Sequence, residues 1–260
     1  MASFDNTKPI KIADFDAKVH APYARIKASN NGGKYIWAKA KVKVPPMRLA
    51  FDVNVNEDEN TGKKKYDISL SFLGSDTDAK IESFRKMTEA LDEYNIDWIT
   101  SKSEEIWGED LTGKRMIVED RYAKMVRMPK KAEYSPTFKV KLTTNYNTGK
   151  NEFQVFSNER NADGEFPELS VWDEDSSTLD LNLFKAKAVM STLIEYTGMW
   201  VVGKKVYPSW KLVQCQCKSA AEERKCCLDD TDDEAEEPVQ EQVKDAPEDD
   251  AEAPPAFQED

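Results

Sequence analysis

LFKAKAVMSTLIEYTGMWVVGKKVYPSWKLVQCQC, Leu183–Cys217, is the stretch on which the reading of the fold turns. Phe184, Ala186, Ala188 and Met190 fall on one side of an extended chain, and Lys185, Lys187, Val189 and Ser191 on the other. Alternation at period two marks a half-buried strand. Gly198 and Gly203-Lys204-Lys205 are turn signals, and Tyr207 to Cys217 alternates again, so two or three β-strands are expected. Trp200, Trp210, Tyr196 and Tyr207 sit among Lys185, Lys187, Lys204, Lys205 and Lys211. A sheet that shows both cations and flat π-faces can hold a phosphate backbone and stack its bases. The alternative for any one residue is an aromatic in the core or a lysine on a solvated face.

The same pattern is sharper in KYIWAKAKVKV, Lys34–Val44. Ile36, Ala38, Ala40, Val42 and Val44 make one small apolar face; Tyr35, Trp37, Lys39, Lys41 and Lys43 make the other. Three lysines in line on a strand repel one another unless solvent or an anion screens them. This face is read as a phosphate contact. Pro45-Pro46 is expected to end the strand, because proline donates no ladder hydrogen bond.

Residues 49–73 and 138–156 read as two hairpins around the repeated turn Asn-Thr-Gly-Lys, at 60–63 and 147–150. In the second, Lys139 and Lys141 oppose Phe138, Val140 and Leu142, a third basic strand face. Between the hairpins, Ile81, Phe84, Thr88, Leu91 and Trp98 follow helical spacing behind the N-cap candidates Asp76, Thr77 and Asp78. That helix is expected from about Ala79 to Asn95, covering one end of the sheet. Residues 1–33 are read as a polar, irregular N-terminal arm. Residues 99–133 are mixed and basic, and 160–182 are an acidic insertion.

Composition separates a body from a tail. The chain has 260 residues and a net charge of −12. From Leu228 onward there are 15 acidic residues and one basic, Lys244, which leaves +2 for the rest. Charge blocks of this kind, poor in large apolar residues and holding Pro238, Pro247, Pro254 and Pro255, are typical of disordered interaction tails. The division expected is an arm over 1–33, a binding domain over 34–218 and a disordered acidic tail over 219–260.

Several chemistries are disfavoured. With His20 alone there is no His-based triad and no His-rich metal site. No phosphate-binding glycine loop occurs. Cys215, Cys217, Cys226 and Cys227 lack paired C-x-x-C spacing, and Cys215 and Cys217 read as packing residues on one strand face. No catalytic residue, cofactor or metal is assigned, so the chain is read as a binding protein and not an enzyme. The opening segment has no apolar leader core and no run is long enough to cross a membrane, so an intracellular setting is expected.

Strand, hairpin, capping helix, hairpin, hairpin and acidic tail is the order of a small Greek-key β-barrel such as an OB-fold, a mainly β class with one capping α-helix. Over roughly residues 34–218 and the tail, the chain resembles the single-stranded-DNA-binding proteins of short-tailed phages. It looks still closer to their counterparts in large nucleocytoplasmic DNA viruses. The segments that carry the resemblance most specifically are Glu195-Tyr196-Thr197-Gly198-Met199-Trp200 and Ser209-Trp210-Lys211-Leu212-Val213-Gln214.

The resemblance implies sequence-independent binding of single-stranded DNA during DNA replication, recombination or repair. It implies an acidic tail that covers the DNA groove when DNA is absent and contacts DNA polymerase or other replication proteins. It implies a homodimer joined through that tail, and a location at sites of DNA replication, such as a viral factory in the host cytoplasm or nucleus. In the phage type the tail ends on an aromatic; here Phe257 is followed by Gln258, Glu259 and Asp260.

The expected stacking residues are Trp37, Trp200 and Trp210, with Tyr35 and Tyr207 behind them. The expected phosphate contacts are Lys39, Lys41, Lys43, Lys139, Lys141, Lys185, Lys187 and Lys211. The rival class is an acidic-tailed chaperone of basic proteins, a β-sandwich that sequesters partners such as histones. The tail suits it equally well; the basic-aromatic strand faces argue against it.

Overall fold

The computed structural model describes residues 8–217, apart from 30–31, 58–61, 146–147 and 172–180. The expected acidic tail, Cys226, Cys227 and parts of the two Asn-Thr-Gly-Lys turns lie outside the described residues.

The chain begins with β1 (Ile10–Lys11), a short helix α1 (Ala17–His20) and β2 (Arg25–Ala28). Then come β3 (Lys34–Arg48), β4 (Asn54–Glu57) and β5 (Lys64–Ser71). A helical section follows: α2 (Ala79–Ser101), α3 (Ser103–Trp107) and α4 (Arg115–Arg121). The remainder is strand: β6 (Val126–Arg127), β7 (Thr137–Leu142), β8 (Gln154–Ser157), β9 (Glu168–Leu169), β10 (Val189–Val202) and β11 (Lys205–Cys217).

Five of these strands close a barrel. β3 pairs with β10, β10 with β11, β11 with β7 and β7 with β5. The circle returns to β3 where Leu49 bridges Leu70 and the Ala50 amide donates to the Ser69 carbonyl at 2.8 Å. The β11–β7 contact is parallel, Lys211 beside Lys141, and the other pairings around the ring are antiparallel. In chain order this ring reads first, fourth, fifth, third, second: the Greek key of an OB-fold. Closure leaves none of the five with a long open edge.

The apolar half of each alternation fills the barrel. Ile36, Ala38, Ala40, Val42 and Val44 of β3 are all 2 % exposed or less. Met190, Ile194, Tyr196 and Met199 of β10 and Leu212 and Cys215 of β11 join them. α2 starts where Asp78 caps it, its carboxylate accepting from the Lys80 amide at 2.7 Å. Its apolar stripe of Ile81, Phe84, Leu91, Ile96 and Ile99 is buried. Phe84 meets Phe138 edge-on at 5.1 Å.

Polar anchors fix the helix on the barrel. Asn95 donates to the hydroxyls of Tyr122 and Tyr196, at 2.7 and 3.2 Å. The Tyr122 hydroxyl donates to Asp92 at 2.7 Å, and the Met125 amide donates to the same carboxylate at 3.1 Å. Burial raises the Asp92 carboxyl to about 7, against these two hydrogen bonds.

Several expectations are corrected. Residues 10–28 are not irregular, because β1 and β2 both pair with β3. Pro45-Pro46 does not end β3. The register against β10 shifts beside them, and a bulge is where a strand tolerates a missing donor. Gly198 is not a turn; it lies inside β10, where the register shifts against both neighbours. The second hairpin closes around its turn, where Thr144 bridges Asn151 and the Glu152 amide donates to the Thr143 carbonyl at 2.9 Å, but its return arm then leaves β7 and continues as β8 along β11. β7 and β8 instead follow one another along β11. The helix runs on to Ser101 because Ile96 and Ile99 continue the buried stripe.

Candidate nucleic-acid interface

Bulges decide which side chains reach the outside of the barrel. β3 keeps strict alternation from Lys34 to Val44, so Tyr35, Trp37, Lys39, Lys41 and Lys43 all project outward, away from the buried set. β10 changes parity between Tyr196 and Gly198, so Leu193 and Glu195 point outward on one side of the bulge and Trp200 on the other. β11 changes parity between Lys211 and Gln214.

Cross-strand register lays the outward residues out in rows. The first is Lys27, Tyr35, Trp200 and Tyr207, on β2, β3, β10 and β11. The Tyr35 and Trp200 rings meet at 4.4 Å, and the Tyr35 hydroxyl donates to the Thr197 carbonyl. The next is Arg25, Trp37, Gly198 and Ser209. Trp37 is 37 % exposed, the one tryptophan among the exposed large apolar residues described. A third row holds Lys41, Glu195, Lys211, Lys141 and Asp67, crossing β3, β10, β11, β7 and β5. The last pairs Lys11 of β1 with Lys43 of β3, and Lys43 with Leu193.

Three carboxylates are set among these cations. Glu195 is only 7 % exposed. Its oxygens lie 3.9 Å from Lys39 Nζ, 4.0 Å from Lys41 Nζ and 3.8 Å from Lys211 Nζ. Lys211 also lies 3.9 Å from Glu152. Asp67 pairs with Lys139 at 2.6 Å and accepts from Asn54 at 3.3 Å. The β3 side of the face is therefore strongly basic, while the β11–β7–β5 side is nearly balanced.

The structure brings together Tyr35, Trp37, Lys39, Lys41, Lys43, Trp200, Tyr207, Lys211, Lys139 and Lys141 on the outer surface of adjoining strands. Three expected residues fall elsewhere. Trp210 is 3 % exposed and belongs to the core. Its indole N–H points to Met125 Sδ at 3.0 Å, and its ring packs on Phe138 and Tyr196 at 5.6 and 5.0 Å. Tyr207 and Trp210 are an odd number of residues apart, so they face opposite ways on an unbulged strand. Lys185 and Lys187 are not on a strand. Leu181–Phe184 is a 3₁₀ turn, Lys187 takes φ 71°, and β10 starts only at Val189. Lys185 pairs instead with Asp52 at 3.8 Å.

Sequence reading missed Lys11, Arg25, Lys27 and Glu195. The signal for β2 was the short alternation Arg25-Ile26-Lys27, with half-buried Ile26 between two exposed cations. Nothing in the sequence distinguishes Glu195 from a solvated acid; only the register against Lys41 and Lys211 shows its place.

No family model matches the chain, and no curated protein matches it. Three solved structures of the single-stranded DNA-binding protein from bacteriophage Enc34 are similar to it. The complex with ssDNA is 13% identical, with 77% of this chain and 95% of that chain covered and a TM-score of 0.38. The C-terminal truncation is 12% identical, with 76% and 93% covered and a TM-score of 0.40. A further structure of that protein is 13% identical, with 86% and 96% covered and a TM-score of 0.37.

Proposed function

We infer that this protein binds single-stranded DNA, without reading its sequence, on the outer face of the barrel along β3. One observation carries the reading. The five inward residues of β3 from Ile36 to Val44 are buried and apolar, while the five outward ones are two aromatics and three lysines. Lys11, Arg25 and Lys27 extend the cations on the neighbouring strands. Lysines bind phosphate whatever the base, and an aromatic ring stacks on any base. A basic outer face fits a polyanion and not the histone-like partner of an acidic chaperone.

The acidic segment from Leu228 onward completes the proposal. Tethered to the barrel, a run of net charge −14 competes with DNA for the same cations at an effective concentration on the order of millimolar. Weak duplex binding loses that competition first, so the tail sharpens the preference for single strands. Once displaced by DNA, it is free to recruit DNA polymerase or other basic replication proteins and to join two copies as a homodimer. The role proposed is in DNA replication, recombination or repair, at the sites where single strands are exposed.

The test is a salt titration of binding to fluorescent oligo-dT and to a duplex of equal length, with the full chain and a 1–227 truncation side by side. The reading expects the single strand to bind tighter, affinity to fall steeply with salt, and truncation to tighten binding. Absence of binding at low salt by both proteins would overturn it and bring histone binding forward as the next assay.

A further inference from the structure

The outer face carries two rows of cations, and they are not equivalent. One follows β3 and its neighbours: Lys11, Lys43, Lys41, Lys39, Arg25 and Lys27. The other follows β11 and β7: Lys211, Lys141 and Lys139. Lys41 and Lys211 are two strands apart, so the rows stand about 10 Å from each other. That separation falls between the widths of the minor and major grooves of B-DNA, roughly 6 and 12 Å. Two unhindered rows at that distance would suit the two phosphate rails of a duplex as readily as one single strand.

Glu195 stands on the strand between them. Its side chain is 10 % exposed, and cations flank it from both rows. It draws Lys39 and Lys41 from one side and Lys211 from the other towards the midline. It also sets a negative charge beside the path of any second backbone. The far row is weakened further by Glu152 on Lys211 and Asp67 on Lys139. Lys11, Lys43, Arg25 and Lys27 of the near row have no such ion pair among the described residues.

We propose that Glu195 is a specificity-determining residue of this face: its carboxylate holds the inner cations of both rows at the midline and bars the path between them, and, with Glu152 and Asp67 already offsetting the far row, it restricts binding to one phosphate backbone along the outer cations of the near row. This rests on the single-strand reading above and adds to it a device inside the folded barrel, separate from the tail. A single strand engages the β3 row and passes beside Glu195. A duplex must bring its second rail over the carboxylate.

The experiment compares full-length wild type with Glu195→Gln, titrating salt against oligo-dT and a duplex of equal length. Each phosphate contact contributes about 0.9 to the log-log salt slope for duplex and about 0.7 for a single strand. Glu195→Gln is expected to steepen the duplex slope by about 2, as the second row engages, and the single-strand slope by less than about 1. Duplex affinity should rise roughly tenfold relative to oligo-dT, enough to detect well above error in the slope. Equal gains on both ligands, or a loss on both, would overturn the proposal while leaving single-strand binding in place. If wild type binds neither ligand, the functional reading itself fails. Glu195→Thr, which keeps a strand-favouring side chain without the charge, is run alongside. If neither variant folds, Glu195 is a structural anchor and the proposal is wrong.

Discussion

Trp37 and Gly198 face each other across the β3–β10 ladder, and the glycine is what lets the two strands meet there. A Cβ at position 198 would lie 2.0 Å from the Ile36 carbonyl oxygen and 2.9 Å from the Ala38 amide nitrogen. The backbone at Gly198 also has φ 113°, which side chains rarely adopt. The parity change that turns Trp200 outward depends on this bulge. Gly198→Ala is therefore expected to destabilise the barrel by about 3 kcal/mol or more, from backbone strain and steric overlap together. Urea denaturation measures it; a loss below about 0.5 kcal/mol, the scale of an ordinary surface change, would mean that the close approach is not needed.

The two tryptophans on opposite sides of the wall should separate cleanly. Trp37→Ala is expected to weaken oligo-dT binding by about 1–3 kcal/mol at every sequence and leave the unfolding midpoint unchanged. Trp210→Ala should do the reverse, costing about 3–5 kcal/mol of stability with unchanged affinity per folded molecule. Fluorescence titration with a parallel denaturation curve reads both. The opposite assignment would put the contact surface on the wrong side of the sheet.

Lysines on β3 should count in the salt dependence. Lys39→Ala, Lys41→Ala and Lys43→Ala are each expected to make the log-log salt slope for a single strand shallower by about 0.7. Lys185→Ala and Lys187→Ala, off the strand, should leave it unchanged. Equal effects at all five positions would indicate diffuse electrostatic attraction rather than a face.

Asp92 makes stability depend on pH. Its folded-state carboxyl is raised to about 7 by burial, above its ordinary value of 3.8, so the folded protein binds a proton that the unfolded chain releases. Stability is then greatest below the unfolded value and falls as pH rises towards 7, at up to about 1.4 kcal/mol per pH unit from this group. Asp92→Asn keeps an acceptor for the Tyr122 hydroxyl and removes the charge. Denaturation midpoints between pH 4 and pH 7 should flatten in that variant; an unchanged slope would place the titration elsewhere.

Strict alternation made β3 legible from the sequence. Ile36 to Val44 inward and Tyr35 to Lys43 outward need only period two, and the register shift against β10 between Trp37 and Ala40 leaves that alternation on β3 intact. The capping helix was legible through Asp78 and the stripe from Ile81 to Leu91. Beyond these, tertiary geometry took over. The bulges in β10 and β11 move residues from one face to the other, and pattern alone does not locate them. Lys185 and Lys187 alternate perfectly with alanines, yet a 3₁₀ turn and a positive φ hold them off the strand. Arg25 and Lys27 lie in a strand of four residues whose only signal is one short alternation about Ile26, and they exist as a surface only because β3 pairs with them. Glu195 gains its meaning from cross-strand register, which the sequence does not print.

The central claim, that DNA lies along the outer face of β3, is tested most directly by lysine-reactivity footprinting. The full-length protein is acetylated with and without oligo-dT and read by mass spectrometry. Protection should concentrate at Lys39, Lys41 and Lys43, with Lys11 and Lys27 beside them. Lys80 and Lys86 on α2 should react equally in both states. Protection centred on α2, or spread evenly over all lysines, would contradict the account.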